Sequence, residues 1–386
     1  MRIVIDARMM GSENTRGIGR YIEELVRAMV GLAPEHRYVL LARDPTTSPF
    51  MGNASVEHVA ADVSWYGAAE QMKMPGMIAA TRPDLLHVPH WNVPVMSRIP
   101  RVVTIHDLIL LSEPKSAKVS TRGPIVSTVK RIGYRLVLRD ALVGSRRIGV
   151  PTQWVADDIR RHFPSLETPI DVTGEGMPDP DSSVWSDPDT TNPYLLHVGS
   201  AYPHKNLDLL LDAWKKLADL HPLLSLILAG ERDVFMKRLE ERVKREELPR
   251  VRFPGRIPDV DLSGLYARAS AFVFPSRNEG FGLPPLEAMA YGCPVVSSNA
   301  SCLPEVLGSA SRAKPREEGV FFFQPSGTDG IIRAVETVLR DPVGARNAAR
   351  QTARVLRQRH DWKKTAERTL EAYETTYDSQ AASRPS

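Results

Sequence analysis

Short apolar runs alternate with stretches of helical period along nearly the whole chain. Arg2–Ala7 reads as a strand, and from Gly17 to Val30 the residues Ile18, Ile22, Leu25, Val26 and Met29 recur at helical spacing. Further strands are expected at Tyr38–Ala42, Leu85–Val88, Arg101–Ile105, Ile148–Pro151 and Ile170–Thr173. Helices are expected at Gln71–Ala80, Ile125–Leu138 and Gln153–His162. Met177–Pro193 then breaks the rhythm with four prolines and four aspartates, and reads as a linker. The alternation restarts at Tyr194–Val198 and continues through helix Leu207–Leu220, strand Leu224–Ala229 and helix Val234–Glu246. Strands at Val251–Pro254, Ala271–Pro275 and Pro294–Ser297 follow, with helices between them. Strand–helix alternation of this kind predicts parallel sheets covered by helices, in two doubly wound units. Ligands of such units bind beyond the carboxyl ends of the strands, so a cleft between the two domains is the expected site.

Composition agrees with two cores. At about 150 residues per domain, 386 residues suggest two or three domains. Charged residues at 25% and hydrophobic residues at 42% exclude disorder as the main theme. Two cysteines, Cys293 and Cys302, exclude a disulfide scaffold and a cysteine zinc cluster. No apolar run approaches the ~20 residues of a membrane span. The opening Met1-Arg-Ile-Val-Ile-Asp reads as a strand rather than a leader, so a cytoplasmic chain is expected. A net charge of +4 is too weak to argue for nucleic acid.

The segment Phe274-Pro-Ser-Arg-Asn-Glu279-Gly-Phe-Gly-Leu-Pro-Pro-Leu-Glu287-Ala-Met-Ala-Tyr-Gly292 is the most informative. It follows an apolar strand, Pro284 and Pro285 suit the first turn of a helix, and Gly292 suits its stop. Gly280, Phe281, Gly282 and Leu283 would then present backbone N–H groups at a helix N-terminus, an anion site suited to a diphosphate. Glu279 in the loop can accept hydrogen bonds from sugar hydroxyls, and Glu287 within the helix can take a ribose diol.

Two glutamates separated by seven residues in the setting Glu-Gly-Phe-Gly-Leu-Pro-Pro-Leu-Glu resemble the motif of the group 1 (family 4) retaining glycosyltransferases. The resemblance implies an α/β chain of GT-B fold, with two facing Rossmann-like doubly wound domains and an interdomain cleft. It places an acceptor-side domain at residues 1–180 with a returning helix at 361–378, and a donor-binding domain at 190–360.

Other pieces match the same family. Lys205, in Gly199-Ser-Ala-Tyr-Pro-His-Lys205-Asn206, resembles the lysine that binds the donor diphosphate, and Asn206 is placed to cap the next helix. Many relatives carry an arginine just after that strand; here Gly199-Ser200-Ala201 has none, and Arg277 is a candidate helper. Gly17 and Gly19, in Gly11-Ser-Glu-Asn-Thr-Arg-Gly-Ile-Gly-Arg-Tyr, resemble the glycine loop that approaches the sugar phosphate. His106, at the end of Arg101–Ile105, resembles the histidine that contacts the transferred sugar. Arg256 and Ile257 resemble the edge of the base pocket. His90 and Asn92, in His87-Val-Pro-His-Trp-Asn, are candidates for the acceptor side. Ala310–Val320 is longer and more charged than the link usual at that place, and reads as a surface insertion.

These residues lead to an expected transfer of a hexose from a nucleotide diphosphosugar, GDP-mannose first, to a saccharide or lipid-linked saccharide in cell-surface polysaccharide assembly. His106, Lys205 and Glu279 are the catalytic candidates. No cofactor and no metal are expected, because the two Asp-x-Asp sequences, Asp179-Pro-Asp181 and Asp187-Pro-Asp189, lie in the linker. A noncatalytic sugar-nucleotide-binding protein and a nucleotide-dependent oxidoreductase are the alternatives. The latter lacks a convincing glycine fingerprint and ribose-binding acid. Between Lys115 and Arg147 lie nine Lys or Arg and one acid, Asp140. Arg131, Arg135 and Arg139 share a helix face, and Ile125, Val126, Val129, Ile132 and Leu136 fall at helical spacing beside it. Such a helix suits an anionic membrane surface, at the inner face of the membrane, rather than nucleic acid.

Overall fold

A computed structural model describes residues 1–11, 17–113, 124–180, 188–189, 191–308 and 319–381; for 124–129, 259, 380 and 381 it describes the backbone alone. The chain divides into two compact units, Met1–Leu108 with Val119–Gly176 and Asp361–Ser386, and Ile109–Lys118 with Met177–His360.

The first part of the chain runs β1 (Arg2–Asp6), α1 (Gly17–Leu32), β2 (Arg37–Ala42), β3 (Val56–Ala60), α2 (Ala68–Ala80), β4 (Leu85–Val88) and β5 (Arg101–Thr104). It continues through α3 (Ile109–Ser112), α4 (Pro124–Val143), β6 (Arg147–Val150), α5 (Gln153–His162) and β7 (Ile170–Val172). The second part runs β8 (Tyr194–Val198), α6 (Leu207–Leu220), β9 (Ser225–Ala229), α7 (Val234–Arg245), β10 (Val251–Gly255), α8 (Asp259–Arg268) and β11 (Ala271–Phe274). After it come α9 (Leu283–Ala290), β12 (Val295–Ser298), α10 (Leu303–Leu307), β13 (Val320–Phe323), α11 (Thr328–Arg340), α12 (Pro342–Arg359) and α13 (Trp362–Ala381).

Unit one holds a seven-stranded parallel sheet in the order β3-β2-β1-β4-β5-β6-β7. Unit two holds a six-stranded parallel sheet in the order β10-β9-β8-β11-β12-β13. Each order reverses beside its first strand, which is the Rossmann-like pattern, and places the ligand end at the loops after β1 and β4, and after β8 and β11. The cores follow from the periodicity. Tyr21, Ile22, Leu25, Val26 and Met29 of α1 are buried with Ile3, Ile5, Tyr38 and Leu40, and with Leu370 and Tyr373 of α13. In unit two, Trp214 is fully buried on α6 among Leu210, Leu217, Leu226 and Val335, and its indole N–H donates to the Pro249 carbonyl at 2.8 Å.

Two strands go beyond the sequence pattern. β3 is a sheet-edge strand, largely half-buried, and its Val-Glu-His-Val-Ala carries only a weak apolar signal. β13 lies at the other sheet's edge; of the expected surface insertion Ala310–Val320, residues 310–318 are outside the described residues, and Val320 is instead the buried first residue of this strand. Pro254 is tolerated in β10 because that strand is also an edge, and its pairing with β9 shifts register between Arg252 and Gly255. The expected cap at Asn206 is corrected. Asn206 has φ 59° and makes no side-chain cap bond; its amide instead donates to the carbonyls of Pro275 (3.2 Å) and Pro325 (3.3 Å). On α4, Leu138, Ala141 and Leu142 are buried, whereas Ile132 and Leu136 are 55% and 63% exposed.

Candidate active site

In unit two, the loops after β8 and β11 meet at a lysine–carboxylate pair. A 3-10 turn, Pro203–Lys205, brings Lys205 Nζ to 2.7 Å from Glu279 Oε1 and to 5.1 Å from the centre of the Phe274 ring. Ser276 Oγ donates to the same carboxylate oxygen, and the Glu279 backbone N–H donates to Ser301 Oγ at 3.0 Å. Glu279 is 8% exposed. Burial alone would raise its carboxyl pKa, but Lys205, His204 and the Ser276 hydroxyl outweigh burial and hold it below the ordinary value.

α9 begins immediately after this loop. Gly282, at φ 95°, is its N-cap and makes no side-chain cap bond; Pro284 and Pro285 occupy the first turn; Gly292, at φ 74°, follows its end. The positive end of α9 therefore lies one loop away from Glu279. Gly280 is buried and Leu283 is half-buried. The Phe281 ring turns inward and meets His360 edge-on at 5.2 Å, so that side chain serves the core while its backbone remains in the loop. Glu287 Oε2 accepts from Tyr266 Oη at 3.1 Å, and Tyr266 stacks on Tyr291. Arg256 and Ile257 follow β10, which is two strands from β8. Arg277 Nη2 donates to Glu113 at 3.0 Å and to the Pro203 carbonyl at 3.1 Å, and Asn278 donates to Ser112 Oγ at 3.0 Å. Arg277 is thus held by the segment after α3.

In unit one, His106 follows β5. Its Nδ1 lies 2.9 Å from Glu175 Oε1, its Nε2 lies 3.2 Å from the Pro89 carbonyl, and the Tyr21 ring meets it edge-on at 4.7 Å. Gly17 opens α1 and Gly19 is buried in it; positions 12–16 of the glycine loop are outside the described residues. Arg8, 1% exposed, is clamped by Asp6 (2.6 Å) and Glu70 (2.5 Å). Glu70 also accepts from Asn92 Nδ2 at 2.7 Å and from the Tyr66 backbone N–H at 2.8 Å. Asn92 is therefore buried and its amide is committed to the fold. His90 stands over this network, where burial pushes it down to about 3. Asp6, Arg8, Trp65, His90 and Asn92 help line a shallow hollow. Among the described residues, no cluster of three or more His, Cys, Asp or Glu is placed to hold a metal ion, and no helix is long and apolar enough to cross a membrane.

Sequence reasoning missed Glu175, Ser276, Tyr266 and the Arg8 network. Glu175 carried a usable signal: it sits between two glycines just past β7, at the ligand end of a parallel sheet.

Two Rossmann-like parallel units, with polar groups gathered where each strand order reverses, define the GT-B class. The profile of glycosyl transferases group 1 matches residues 182–356, and that of glycosyltransferase family 4 matches residues 15–177. The chain belongs to this glycosyltransferase family. It is 39% identical to O-antigen chain mannosyltransferase B of Escherichia coli over 186 residues, covering 47% of this chain and 45% of that protein. It is 27% identical to a glycogen synthase of Mycobacterium tuberculosis over 396 residues, covering 92% and 90% of the two chains. The fold matches sucrose-phosphate synthase from Thermosynechococcus elongatus with a TM-score of 0.75 at 18% identity, covering 98% of this chain and 100% of the other.

Proposed function

We propose that the protein is a retaining, metal-independent hexosyltransferase of cell-surface polysaccharide assembly. It takes a hexose from a nucleotide diphosphosugar, GDP-mannose first, and passes it to a hydroxyl of a saccharide or lipid-linked saccharide. The Lys205–Glu279 pair beside the start of α9 carries this reading. Departure of a nucleoside diphosphate builds negative charge, which the Lys205 ammonium and the N-terminal amides of α9 meet electrostatically. Among the described residues, the two donors to the Glu279 carboxylate, Lys205 and Ser276, converge on Oε1, so Oε2 is the oxygen offered to a sugar hydroxyl. Glu287, steadied by Tyr266, takes the ribose diol, and Arg256 and Ile257 edge the base. Gly17 and Gly19 approach the sugar phosphate, and His106 contacts the transferred sugar. His90 serves the acceptor side. Asn92 acts there only by shaping the loop, because its amide is held by Glu70. The mannosyltransferase relative supports mannose as the first donor to try.

We further propose peripheral contact with the inner face of an anionic membrane through residues 115–147. The described part of α4 places exposed Ile132 and Leu136 beside exposed Arg131, Arg135 and Arg139. Basic charge with exposed apolar side chains on one helix is the chemistry of interfacial binding.

A panel of GDP-, UDP- and ADP-sugars, followed as donor hydrolysis and as transfer to a mannosyl acceptor with and without EDTA, tests the main reading. GDP-mannose turnover, indifferent to EDTA and giving an α-linked product, is expected. Turnover of another donor alone reassigns the sugar. Stabilisation by NAD and by no sugar nucleotide would overturn the transferase reading.

A further inference from the structure

Two neighbouring histidines of unit one are served by opposite chemistry. His87, 0% exposed, has a hydroxyl at each ring nitrogen: Tyr373 Oη is 2.6 Å from Nδ1 and Thr104 Oγ1 is 2.8 Å from Nε2. A hydroxyl can donate or accept, so a neutral ring satisfies both contacts. Burial accordingly pushes His87 down to about 3. Among the described residues, no hydroxyl lies at either nitrogen of His106. Its Nδ1 faces a carboxylate oxygen of Glu175 and its Nε2 faces the Pro89 carbonyl. A carbonyl accepts only, and so does an ionised carboxylate. A neutral imidazole carries one N–H, which would leave a lone pair facing an oxygen at the other contact. Two N–H groups satisfy both.

The surroundings favour that state. Among the described residues, the titratable groups facing His106 are Glu175 after β7, Asp107 beside it in the chain, Tyr21 on α1, and His87 and His90 on and after β4. Burial lowers the two histidines to about 3 each and raises the Tyr21 phenol, and Glu175 and Asp107 both favour the protonated ring. For His106 itself burial disfavours the charge, but the Glu175 hydrogen bond and charge, Asp107 and the Pro89 carbonyl outweigh it and move the ring upward from 6.5.

We propose that Glu175 is a positioning residue: it holds His106 doubly protonated and clamps the ring between the loops after β4 and β7, making His106 a fixed positive group of the transfer site and not a general base. The inference rests on His106 belonging to that site, as in the reading above. With no free nitrogen lone pair, His106 cannot take the acceptor's proton.

Imidazole nitrogen NMR on the full chain, free of substrate, tests the protonation state. The ten histidines are separated by the signals lost in His106→Gln. Wild-type His106 is expected to keep both N–H groups through pH 6.5 and to titrate above it. In Glu175→Gln the midpoint falls below 6.5. The alkaline limb of the transfer rate moves down with it, and the rate at pH 7.5 drops about tenfold or more, the scale typical of ring-orienting partners. A wild-type ring that titrates at or below 6.5 overturns the proposal without any variant. So does an unprotonated Nδ1, which would put the proton on Glu175. A midpoint or pH–rate profile unmoved by Glu175→Gln also overturns it. The NMR outcome stands apart from the donor reading, because it needs no donor.

Discussion

Lys205 Nζ lies 2.7 Å from Glu279 Oε1, with the two side chains only 14% and 9% exposed. A pair this buried is held in place by mutual need, since losing one partner strands the other's charge at a cost of about 3–5 kcal/mol. Lys205→Met and Glu279→Gln are each expected to lose stability, the lysine change more, because the amide oxygen of Glu279→Gln can still accept from Lys205 and Ser276, whereas Lys205→Met takes the cation from a buried carboxylate. The double variant should be less destabilised than the sum, with a coupling of about 1–3 kcal/mol. Urea titrations of the four proteins measure it, and additivity would remove the pair from the account. Transfer should fall about 10²–10³-fold in each single variant, as when one electrostatic stabiliser is removed.

The same pair sets an acid limit. Glu279 is buried, which alone would raise its carboxyl pKa, but Lys205, His204 and Ser276 hold it below the ordinary 4.5. A carboxyl lowered in the folded state stabilises fully above its unfolded value, and that stabilisation is lost as pH falls through the folded value. The unfolding free energy should therefore decline below about pH 4.5, and decline less steeply in Glu279→Gln. Parallel slopes in the two proteins would place the acid sensitivity elsewhere.

Much of this site was legible from local pattern, and the rest was not for a definable reason. Glu279, Gly282 and Glu287 belong to one strand–loop–helix, so spacing alone orders them. Glu175 acts on a histidine 69 residues earlier, and Arg8 on a glutamate 62 residues later. Such pairs exist only once strand order is known. Asn206 shows the converse failure: its place before α6 suits a cap, but a φ of 59° turns its amide to the carbonyls of Pro275 and Pro325. β3 escaped notice because a sheet edge needs only a partial apolar face.

Gly282 is expected to resist even alanine. At φ 95° a side chain pays the left-handed penalty, and a Cβ would lie 2.8 Å from Leu303 Cδ2. Gly282→Ala should cost about 1–2 kcal/mol for the backbone alone, and more with the contact. It should also raise the donor KM more than it lowers kcat, because it shifts the start of α9. An unchanged urea midpoint would show that the loop has another way to relax.

Tyr373 ties α13 to the sheet through His87. Tyr373→Phe removes the hydroxyl that partners His87 Nδ1, while Thr104 still partners Nε2. A buried polar group left alone costs about 1–3 kcal/mol, so the unfolding free energy should fall by that amount and the urea midpoint with it, the slope unchanged. Equal stability of the two proteins would mean that water or a rearranged side chain had taken the place of the lost hydroxyl at Nδ1.

The membrane reading turns on the exposed side of α4. Ile132 and Leu136 are 55% and 63% exposed, and Val143, further along the same side, is 61% exposed. Arg131, Arg135 and Arg139 lie one residue round the helix and are also exposed. Apolar groups at such positions lower water solubility and gain nothing from the core, whereas at an interface they insert while the arginines meet lipid phosphates. Flotation with phosphatidylcholine vesicles, with and without phosphatidylglycerol, is expected to recover the protein only on the anionic ones. Arg131→Ala with Arg135→Ala should weaken binding by about 2 kcal/mol, near 1 kcal/mol for each charge, and raised salt should act in the same direction. Ile132→Ser with Leu136→Ser should weaken it without altering the salt dependence, which separates insertion from charge. Failure to float on either vesicle would return α4 to an ordinary solvated helix.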